Sequence, residues 1–298
     1  MKTISLVVPG SILDCAQSPQ LQAYVAGQIA RAACIYNVDE VIVFNDMGDT
    51  PSDGIVIDSD KSTWRSCVLL GRILQFLECP QYLRKCIFPI HKDLHYAGLL
   101  NPLDAPHHLR ADDESLFREG IVTDKRGKHG KGCYANVGLM KPVYLEKTLK
   151  PGVRVTVKLL PKEEGSKKLK GIVVPPSFPR FECGTYWGYN VRLAKSLSEA
   201  IDGCPYKEGY DLLIGTSDKG TPVSEITLGN DYHHCLIVFG GVRGLEIVLE
   251  TDDKLKVEDV SMLFHHYVNT CPRQGTRTIR TEEAILISLA QLSNKLLN

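Results

Sequence analysis

The sequence predicts an α/β protein in which a small β-barrel is inserted into a domain built on a mainly parallel sheet. Apolar, β-branched runs alternate with helical stretches at the beginning and at the end of the 298-residue chain. Between these two parts, short β-rich runs are separated by Gly, Pro and Lys. These observations predict a discontinuous domain of residues 1–83 and 175–298, and an inserted domain of residues 84–174.

The first part of the chain has the pattern of a βαβ unit. Thr3–Pro9 and Val38–Phe44 are apolar and rich in β-branched residues, which predicts two buried strands. Between them, Ser18–Tyr36 is an Ala-rich helical stretch that opens with a Ser-Pro pair as cap and first turn. After a polar loop, Lys61–Glu78 predicts an amphipathic helix. A parallel sheet with covering helices is expected from this order.

The middle of the chain changes to short β-rich runs with turn signals between them. Several such runs at this spacing predict a small barrel or meander, with the OB-fold as the leading candidate. The five runs are Gly120–Thr123, Cys133–Val137, Pro142–Leu145, Val153–Leu159 and Gly171–Val174.

The last part returns to alternating elements. Tyr189–Ile201 predicts a helix, Tyr210–Gly215 and Cys235–Phe239 predict strands, and Arg280–Leu297 predicts a terminal helix. This alternation matches the first part, so we expect the two parts to share one sheet.

The charge of the chain is divided between the two predicted domains. The formal net charge is zero, with 35 basic and 35 acidic residues, which by itself argues against a nucleic-acid partner. Residues 84–170, however, hold 18 basic and 10 acidic residues, a net of +8. The remaining residues hold 17 basic and 25 acidic residues, a net of −8. A basic module is therefore inserted in an acidic body, and that module is the candidate for contact with a polyanion such as a nucleic acid.

Composition and motifs exclude several classes of protein. No run approaches the roughly 20 apolar residues of a membrane span, and Pro9 and Gly10 interrupt the start before it forms a signal-peptide core. These features predict an intracellular protein with no membrane partner. Ten scattered cysteines predict reduced thiols in apolar segments. Histidine pairs occur, but the sequence has no C-x-x-C, and we predict no metal.

Glycine-containing turns follow two of the predicted strands. They are Gly215–Gly220, in which Gly215 and Thr216 come first, and the segment that begins Gly240-Gly241-Val242. Ligands of open α/β sheets bind beyond the carboxyl ends of strands, so these turns predict a pocket; ordinary strand-to-helix turns are the alternative. The sequence has no G-x-x-x-x-G-K-[ST], and no G-x-G-x-x-G follows the first strand, which excludes the common nucleotide sites.

A third candidate segment runs straight into the terminal helix. Asn269–Ala284 is polar, contains three arginines within residues 273–280, and has Thr281 as a candidate helix cap. Its hydroxyls, amides and helix start suit a polar ligand or a phosphate, and a solvated basic loop is the alternative.

Three segments in a fixed order, Gly27–Phe44, His234–Glu246 and Asn269–Leu292, resemble the motifs of the SPOUT class of S-adenosylmethionine-dependent RNA methyltransferases. The resemblance is closest to a subfamily with an OB-like insertion that occurs in eukaryotes and archaea. It implies an α/β fold with a C-terminal trefoil knot, a rare exception to unknotted chains. It also implies S-adenosylmethionine as cofactor, S-adenosylhomocysteine as product, and a homodimer in which each active site draws on both chains.

The resemblance also implies the residues of the cofactor site and of the reaction. Arg31 aligns with the arginine of the first motif, and Arg277 and Arg280 are further candidates for stabilising a substrate anion. An ordinary helix-surface arginine is the alternative for Arg31. The cofactor-binding residues carried over by motif are Gly215, Thr216, Gly240, Gly241, Val242, Asn269, Thr270, Gly275 and Thr276.

The function that the resemblance implies is methylation of an RNA base, with uridine N3 in ribosomal RNA as the expected acceptor. The third motif reads TRTIRTEEA, where the ribose methylators of the class are rich in Ser, Asn and Val. A ribose 2′-O-methyltransferase is one alternative. The other is a non-catalytic RNA-binding or scaffolding protein with spindle or centromere association. A nuclear, nucleolar or cytoplasmic location is expected.

A glycine-rich basic loop in the inserted domain is the candidate RNA contact. Lys125, Arg126, Lys128 and Lys131 place four formal positive charges within eight residues. Small barrels bind single strands through such loops together with aromatic residues, for which Tyr134, Tyr144 and Phe117 are candidates. A solvated turn and aromatic residues of the barrel core are the alternatives.

Overall fold

A computed structural model describes residues 2–48, 63–127, 131–162, 168–229 and 231–296. Contacts divide the chain into two compact units. We call Met1–Gln75, Asp93–Leu103 and Tyr189–Asn298 the sheet unit, and Phe76–Lys92 and Asp104–Gly188 the barrel unit. The limits 84 and 174 of the predicted inserted domain both fall inside the barrel unit, and those limits stay a prediction.

Seven α-helices and eleven strands are present in the described residues. The helices are α1 (Pro19–Ile35), α2 (Thr63–Glu78), α3 (Gln81–Ile87), α4 (Phe178–Cys183), α5 (Leu197–Asp202), α6 (Ile247–Thr251) and α7 (Thr281–Leu296). The strands are β1 (Thr3–Pro9), β2 (Glu40–Phe44), β3 (Phe117–Arg126), β4 (Cys133–Asn136), β5 (Val143–Leu145), β6 (Arg154–Leu159), β7 (Leu169–Val174), β8 (Asn190–Ala194), β9 (Leu212–Pro222), β10 (His234–Val238) and β11 (His266–Asn269).

The sheet unit is built on a six-stranded sheet in the order β11-β9-β10-β1-β2-β8, and every neighbouring pair is parallel. β1 lies inside the sheet and all of its residues are buried, as its unbroken apolar run predicts. Ser18 caps α1, because its Oγ accepts a hydrogen bond from Leu21 N at 3.3 Å. The buried alanines of α1 face the protein interior. The predicted parallel sheet is confirmed.

The barrel unit contains a closed barrel in the order β3-β4-β5-β7-β6. Its pairs are antiparallel except for β5 and β7, which are parallel. Small and β-branched side chains fill the interior, among them Val122, Ala135, Val143 and Val157. The sequence prediction of a small inserted barrel is confirmed, and each of the five predicted β-rich runs overlaps one strand.

The predicted helix Tyr189–Ile201 is wrong in its first half. Asn190–Ala194 is strand β8, which pairs with β2 at the edge of the sheet, and α5 begins only at Leu197. Ser196 caps α5 by accepting a hydrogen bond from Glu199 N at 3.3 Å. The half-buried residues of an edge strand do not form the long apolar run that marks the central strands, so the local pattern favours a helix.

The described residues contain no helix that is long and apolar enough to span a membrane. All ten cysteines lie in the described part of the chain, and no disulfide joins any of them.

Buried charges hold the barrel unit together at one place. Arg154 donates hydrogen bonds to the Glu78 carboxylate at 2.6 and 3.0 Å, and to Glu119 Oε2 at 2.6 Å. Glu119 Oε1 also accepts from Trp187 Nε1 at 2.7 Å. Burial would raise the pKa of Glu78, but hydrogen bonds from His107 and Arg154 outweigh it and lower that pKa to about 2. The ionised carboxylate is therefore part of the folded state.

Replacing Glu78 by Gln should lower the free energy of unfolding at pH 7 by about 3 kcal/mol, because the substitution removes one partner of a buried ion pair. The pKa of Glu78 is lower in the folded protein than its ordinary value of 4.5, so this stabilisation is complete above pH ~5 and is lost as the pH falls toward 2. Urea unfolding at pH 7 and pH 3 measures the difference between wild type and variant.

The matched control is Glu182→Gln, which removes a partly exposed ion pair with Lys158 and should cost less than about 1 kcal/mol. A stability difference between wild type and Glu78→Gln that is the same at both pH values would contradict the role assigned to the Glu78 carboxylate.

Candidate functional site

A cavity of about 520 Å³ lies in the sheet unit where the chain leaves β9, β10 and β11. Because parallel strands end at the same edge of a sheet, their following segments meet there. We call this space the three-loop cavity. Its wall also includes part of the 3-10 helix Gly10–Cys15 and the first turns of α7.

The first segment of the cavity is an irregular part of β9. Gly215 pairs with Tyr267 of β11, but the next residue of β11, Val268, pairs with Thr221. The five residues between them leave the regular ladder, and Thr216–Lys219 line the cavity. The sequence predicts a separate turn after a short strand, and this is wrong, because the chain returns to the same ladder and continues as β9.

The second segment, after β10, is closed by contacts that only glycine permits. A Cβ on Gly240 would lie 2.7 Å from the carbonyl carbon of Gly244. A Cβ on Gly241 would lie 3.0 Å from Asp46 Oδ2 and from Ser11 Oγ. Gly244 has φ +75°, in the left-handed region that favours glycine. The second segment is therefore tightly packed at its glycines, and a larger residue there would force it to move.

A buried carboxyl group lies behind the second segment. Asp46 accepts hydrogen bonds from Ser11 Oγ at 2.5 Å and Ser11 N at 3.3 Å. Burial raises the pKa of Asp46 although these hydrogen bonds act in the opposite direction. Its main-chain oxygen accepts from Thr251 Oγ1 at 3.2 Å, so Asp46 joins the segment before the cavity to α6.

Side-chain amide and hydroxyl groups fix the third segment, after β11. Asn269 Nδ2 donates to Asp218 O at 2.7 Å, and Cys271 N donates to Asn269 Oδ1 at 2.9 Å. The hydroxyls of Thr270 and Ser288 are hydrogen-bonded at 2.8 Å. The first segment, in β9, and the third segment are thus joined through Asn269.

Thr281 connects the third segment to the second. Its Oγ1 donates to Gly240 O at 2.9 Å across 41 residues of sequence. The expectation that Thr281 caps the terminal helix is wrong, because Thr281 is its first helical residue. Arg280 N instead donates to Glu283 Oε2 at 3.0 Å, which is one half of a capping box.

The cavity carries both signs of charge. The side chains of Arg277 and Arg280 are exposed at its wall, whereas Glu282 is only 8% exposed. Arg280 Nη1 lies 3.9 Å from Glu282 Oε1. Lys219 donates to Glu246 Oε1 at 2.6 Å on the other side. Such a wall suits a ligand that is polar and zwitterionic rather than uniformly anionic.

The structure brings together most of the residues that the sequence singles out for this site. Gly215 is buried against Phe264 and does not line the cavity, and neither do Gly275 and Thr276, which are exposed. The predicted residues that line it are Thr216, Gly240, Gly241, Val242, Asn269, Thr270, Arg277 and Arg280.

Arg31 lies away from the cavity within this chain. Its Nη1 donates to Leu103 O at 2.5 Å and to Pro102 O at 3.4 Å, so two main-chain carbonyls orient the guanidinium. In the barrel unit, Lys125 and Arg126 end β3 and Lys131 precedes β4, and all three are exposed. Lys128 lies outside the described residues.

Several residues of the site are missing from the sequence prediction. Glu282 belongs to the TRTIRTEEA segment. Its position in the first turn of a predicted helix could have identified it as a candidate, because acidic residues are favoured there. Asp46 and Ser11 have no comparable local signal, because their contact with the second segment depends on the tertiary fold.

Comparisons with known proteins agree with this geometry. Residues 3–292 match the family described as "Putative RNA methyltransferase". The chain is 56% identical over 305 residues to a Drosophila melanogaster protein named 28S rRNA (uridine-N(3))-methyltransferase, and the match covers 99% of this chain and 62% of that protein. Human and mouse proteins of the same name are 52% and 53% identical, each covering 97% of this chain, with 77% and 76% of their own lengths matched. The chain therefore spans less than two thirds of the fly relative.

Replacing Thr281 by Val should lower the free energy of unfolding by about 1 kcal/mol, because it removes the hydrogen bond to Gly240 O at nearly constant volume. Thr281→Ser should keep most of the wild-type free energy of unfolding, since it keeps the hydroxyl. Thermal and urea unfolding of the three proteins measure the effect. Thr278→Val, at an exposed position of the same segment, is the control, and equal stability of the two Val variants would contradict the assignment.

Proposed function

The chain belongs to this family of RNA methyltransferases, and from that premise we propose that it transfers a methyl group to N3 of a uridine in ribosomal RNA. The observation that carries the proposal is the three-loop cavity, where motif segments far apart in the sequence converge at one edge of a parallel sheet. The names of the fly, human and mouse relatives supply the acceptor atom and the class of RNA.

We further propose S-adenosylmethionine as the methyl donor, with S-adenosylhomocysteine as product. A cavity of about 520 Å³ lies within the usual range for small-molecule sites. Gly240 and Gly241 line the cavity without side chains of their own, and Thr216 and Asn269 add polar groups. The apolar residues of the wall that suit a purine ring are Ile12, Val25, Phe239, Leu245 and Ile287. When bound, this cofactor supplies an electrophilic methyl group for an in-line displacement.

The residues of the chain have three tasks in such a transfer. They align the acceptor nitrogen with the methyl carbon, keep the base out of its pair, and stabilise the uridine anion that forms when N3 loses its proton. Arg277 and Arg280 are our candidates for the last task, and the support for them is that both residues line the cavity. Their exposure leaves them able to contact a substrate.

Arg31 acts, in this proposal, in the cavity of a second copy of the chain. Arg31 does not line the cavity of its own chain, which agrees with the dimer that the family resemblance implies. A stripe on α1 supports that interface: Leu21, Tyr24 and Ile35 are 49%, 55% and 51% exposed, and they share a heptad-like spacing with Gln28 and Arg31. The trefoil knot of the SPOUT class is proposed for the segments after β10 and β11.

The barrel unit is proposed to be an OB-like module that binds the RNA. Its strand order and the parallel pairing of β5 with β7 support this reading, together with the exposed Lys125, Arg126 and Lys131. A nuclear, nucleolar or cytoplasmic location follows from a ribosomal RNA substrate.

Nucleoside mass spectrometry tests the reaction. The purified chain is incubated with S-adenosylmethionine and with large-subunit ribosomal RNA from cells that lack this activity, and the nucleosides are then analysed. Appearance of 3-methyluridine is expected. Appearance of 2′-O-methyluridine would identify a ribose methylator instead. No product together with no heat of S-adenosylmethionine binding would leave the non-catalytic RNA-binding or scaffolding alternative.

Replacing Gly240 by Ala should weaken S-adenosylmethionine binding at least ~10-fold, because a Cβ 2.7 Å from the Gly244 carbonyl carbon forces the second segment to move. Isothermal titration calorimetry measures the dissociation constant. Gly275→Ala is the matched control, since nothing lies within 4 Å of its Cβ position and it does not line the cavity. Equal affinity of the two variants would place the cofactor elsewhere.

Replacing Arg277 or Arg280 by Ala should lower kcat by about 100-fold while the dissociation constant for S-adenosylmethionine changes little, because the lost charge acts on the substrate anion. Arg273→Ala is the control, since Arg273 is exposed in the same segment and does not line the cavity. Single-turnover methyl transfer separates chemistry from binding. Unchanged kcat in both variants would remove these arginines from the reaction.

A further inference from the structure

Two tyrosines lie next to each other on the outer surface of the barrel. Tyr134 of β4 and Tyr144 of β5 occupy directly paired positions of the antiparallel ladder. Their ring centroids are 5.4 Å apart with an interplanar angle of 63°. Both are half-buried, so part of each ring is open to solvent. A cross-strand aromatic pair stabilises a sheet, but it also presents π-surface on the outside.

The alternation of the strands fixes the outward direction of both rings. The residues on either side of Tyr134, Cys133 and Ala135, belong to the barrel interior, and so do Val143 and Leu145 beside Tyr144. Successive side chains of a strand point to opposite faces. The tyrosines therefore do not belong to the barrel core, which was the alternative for them in the sequence. Phe117, the third aromatic candidate, is only 3% exposed and packs against Phe178 and Trp187, so its prediction as a surface platform is wrong.

Cationic side chains surround the tyrosine pair. Lys125 Nζ lies 4.9 Å from the Tyr134 ring centroid, and Lys170 of β7 is directly paired with Tyr144. Tyr144 Oη donates to Lys131 O at 3.3 Å, which joins the ring to the basic loop. Asp124 and Glu146 are exposed neighbours in sequence, but the basic residues at 125, 126, 131 and 170 outnumber them.

Gly127 and Gly132, at the two ends of the basic loop, lie close to the Tyr144 ring. A Cβ on Gly127 would lie 2.9 Å from Tyr144 Cε2, and one on Gly132 would lie 2.6 Å from Tyr144 Oη. Gly132 has φ +71°, and Gly127 N donates to Gly132 O at 3.2 Å. The two ends of the loop are thus closed against the ring, and the cations that they carry stay beside the aromatic surface.

We propose that Tyr134 and Tyr144 form a stacking platform for unpaired nucleobases of RNA, with Lys125, Lys131 and Lys170 contacting the phosphates on either side. The inference rests on the proposed function, because it assumes that RNA is the substrate. Every base offers a π-face to an aromatic ring, whereas a duplex hides its bases between stacked pairs. The platform therefore selects single-stranded segments, and it makes binding depend on bases as well as on phosphates.

The test measures binding of fluorescein-labelled ten-nucleotide oligouridine to the full chain by anisotropy, and compares it with an abasic ten-mer that keeps the phosphates. Wild type should bind oligouridine about 10-fold or more tightly than the abasic strand. Tyr134→Leu/Tyr144→Leu should reduce oligouridine affinity to the abasic level and leave abasic binding unchanged. Tyr134→Phe/Tyr144→Phe keeps the rings and should bind like wild type.

The matched charge control is Lys125→Gln. This variant should bind oligouridine and the abasic strand more weakly than wild type, and to a similar extent, because it lacks a phosphate contact. Equal binding of both strands by wild type, or undiminished preference in the Leu variant, would overturn the platform. If the Leu variant does not fold, photocrosslinking of 5-iodouridine oligomers to wild type decides the matter. Cross-linked peptides should contain Tyr134 or Tyr144, and cross-links confined to other residues would refute the proposal.

These binding measurements need no methyl donor, so they separate the platform from the reaction. Loss of base-dependent binding in the Leu variant without any 3-methyluridine formation by wild type would keep the platform and refute the methylation. Formation of 3-methyluridine with no base-dependent binding would support the methylation and refute the platform.

Discussion

The close packing of Gly240 against the main chain of Gly244 and Leu245 is the constraint on which the three-loop cavity depends. A Cβ on Gly240 would lie 2.7 Å from the carbonyl carbon of Gly244 and 2.8 Å from the main-chain nitrogen of Leu245. The hydrogen bond from Thr281 then fixes the same glycine to the first turn of α7. Gly240 therefore contacts both the loop after β10 and the terminal helix. These two contacts fix the positions of segments that are 41 residues apart in the sequence. This part of the cavity wall is therefore fixed by the positions of main-chain atoms.

The barrel unit is organised around a different kind of constraint. Arg154 is shared by two buried carboxylates, Glu78 and Glu119, and the second also accepts from Trp187. Buried ions are costly unless their partners are complete, and here each charge has several. This cluster joins residues as far apart as 78 and 187, so it ties the two chain segments of the barrel unit to each other.

The elements with a local sequence signal could be predicted from the sequence. The elements that depend on pairing with distant segments of the chain could not. The buried run of β1 and the Ser-Pro start of α1 each carry their own signal, and both were predicted almost to the residue. Strand β11 has only four residues and exists through its pairing with β9, and nothing in its own pattern indicates it. The same distinction holds in the site. Gly240 and Asn269 stand out in sequence, whereas the burial of Asp46 behind Gly241 depends on the fold.

Part of the positive charge of the barrel unit belongs to arginines that bind other groups of the protein. With the observed limits the unit holds 19 basic and 11 acidic residues, still a net of +8. Three of its arginines have partners inside the protein: Arg84 and Arg118 donate to main-chain carbonyls, and Arg154 pairs with the buried carboxylates, so the count of arginines overstates the charge that is open to a ligand.

The field that an RNA would meet therefore comes mainly from the 13 lysines of the unit. Lysine contacts phosphate as a point charge and lacks the planar, bidentate fork with which arginine selects geometry. A lysine-rich surface would hold a proposed RNA strand without reading its sequence. For the proposed RNA substrate, a preference for unpaired over paired nucleotides must then come from groups that stack on the bases, for which the two outward tyrosines are our proposal.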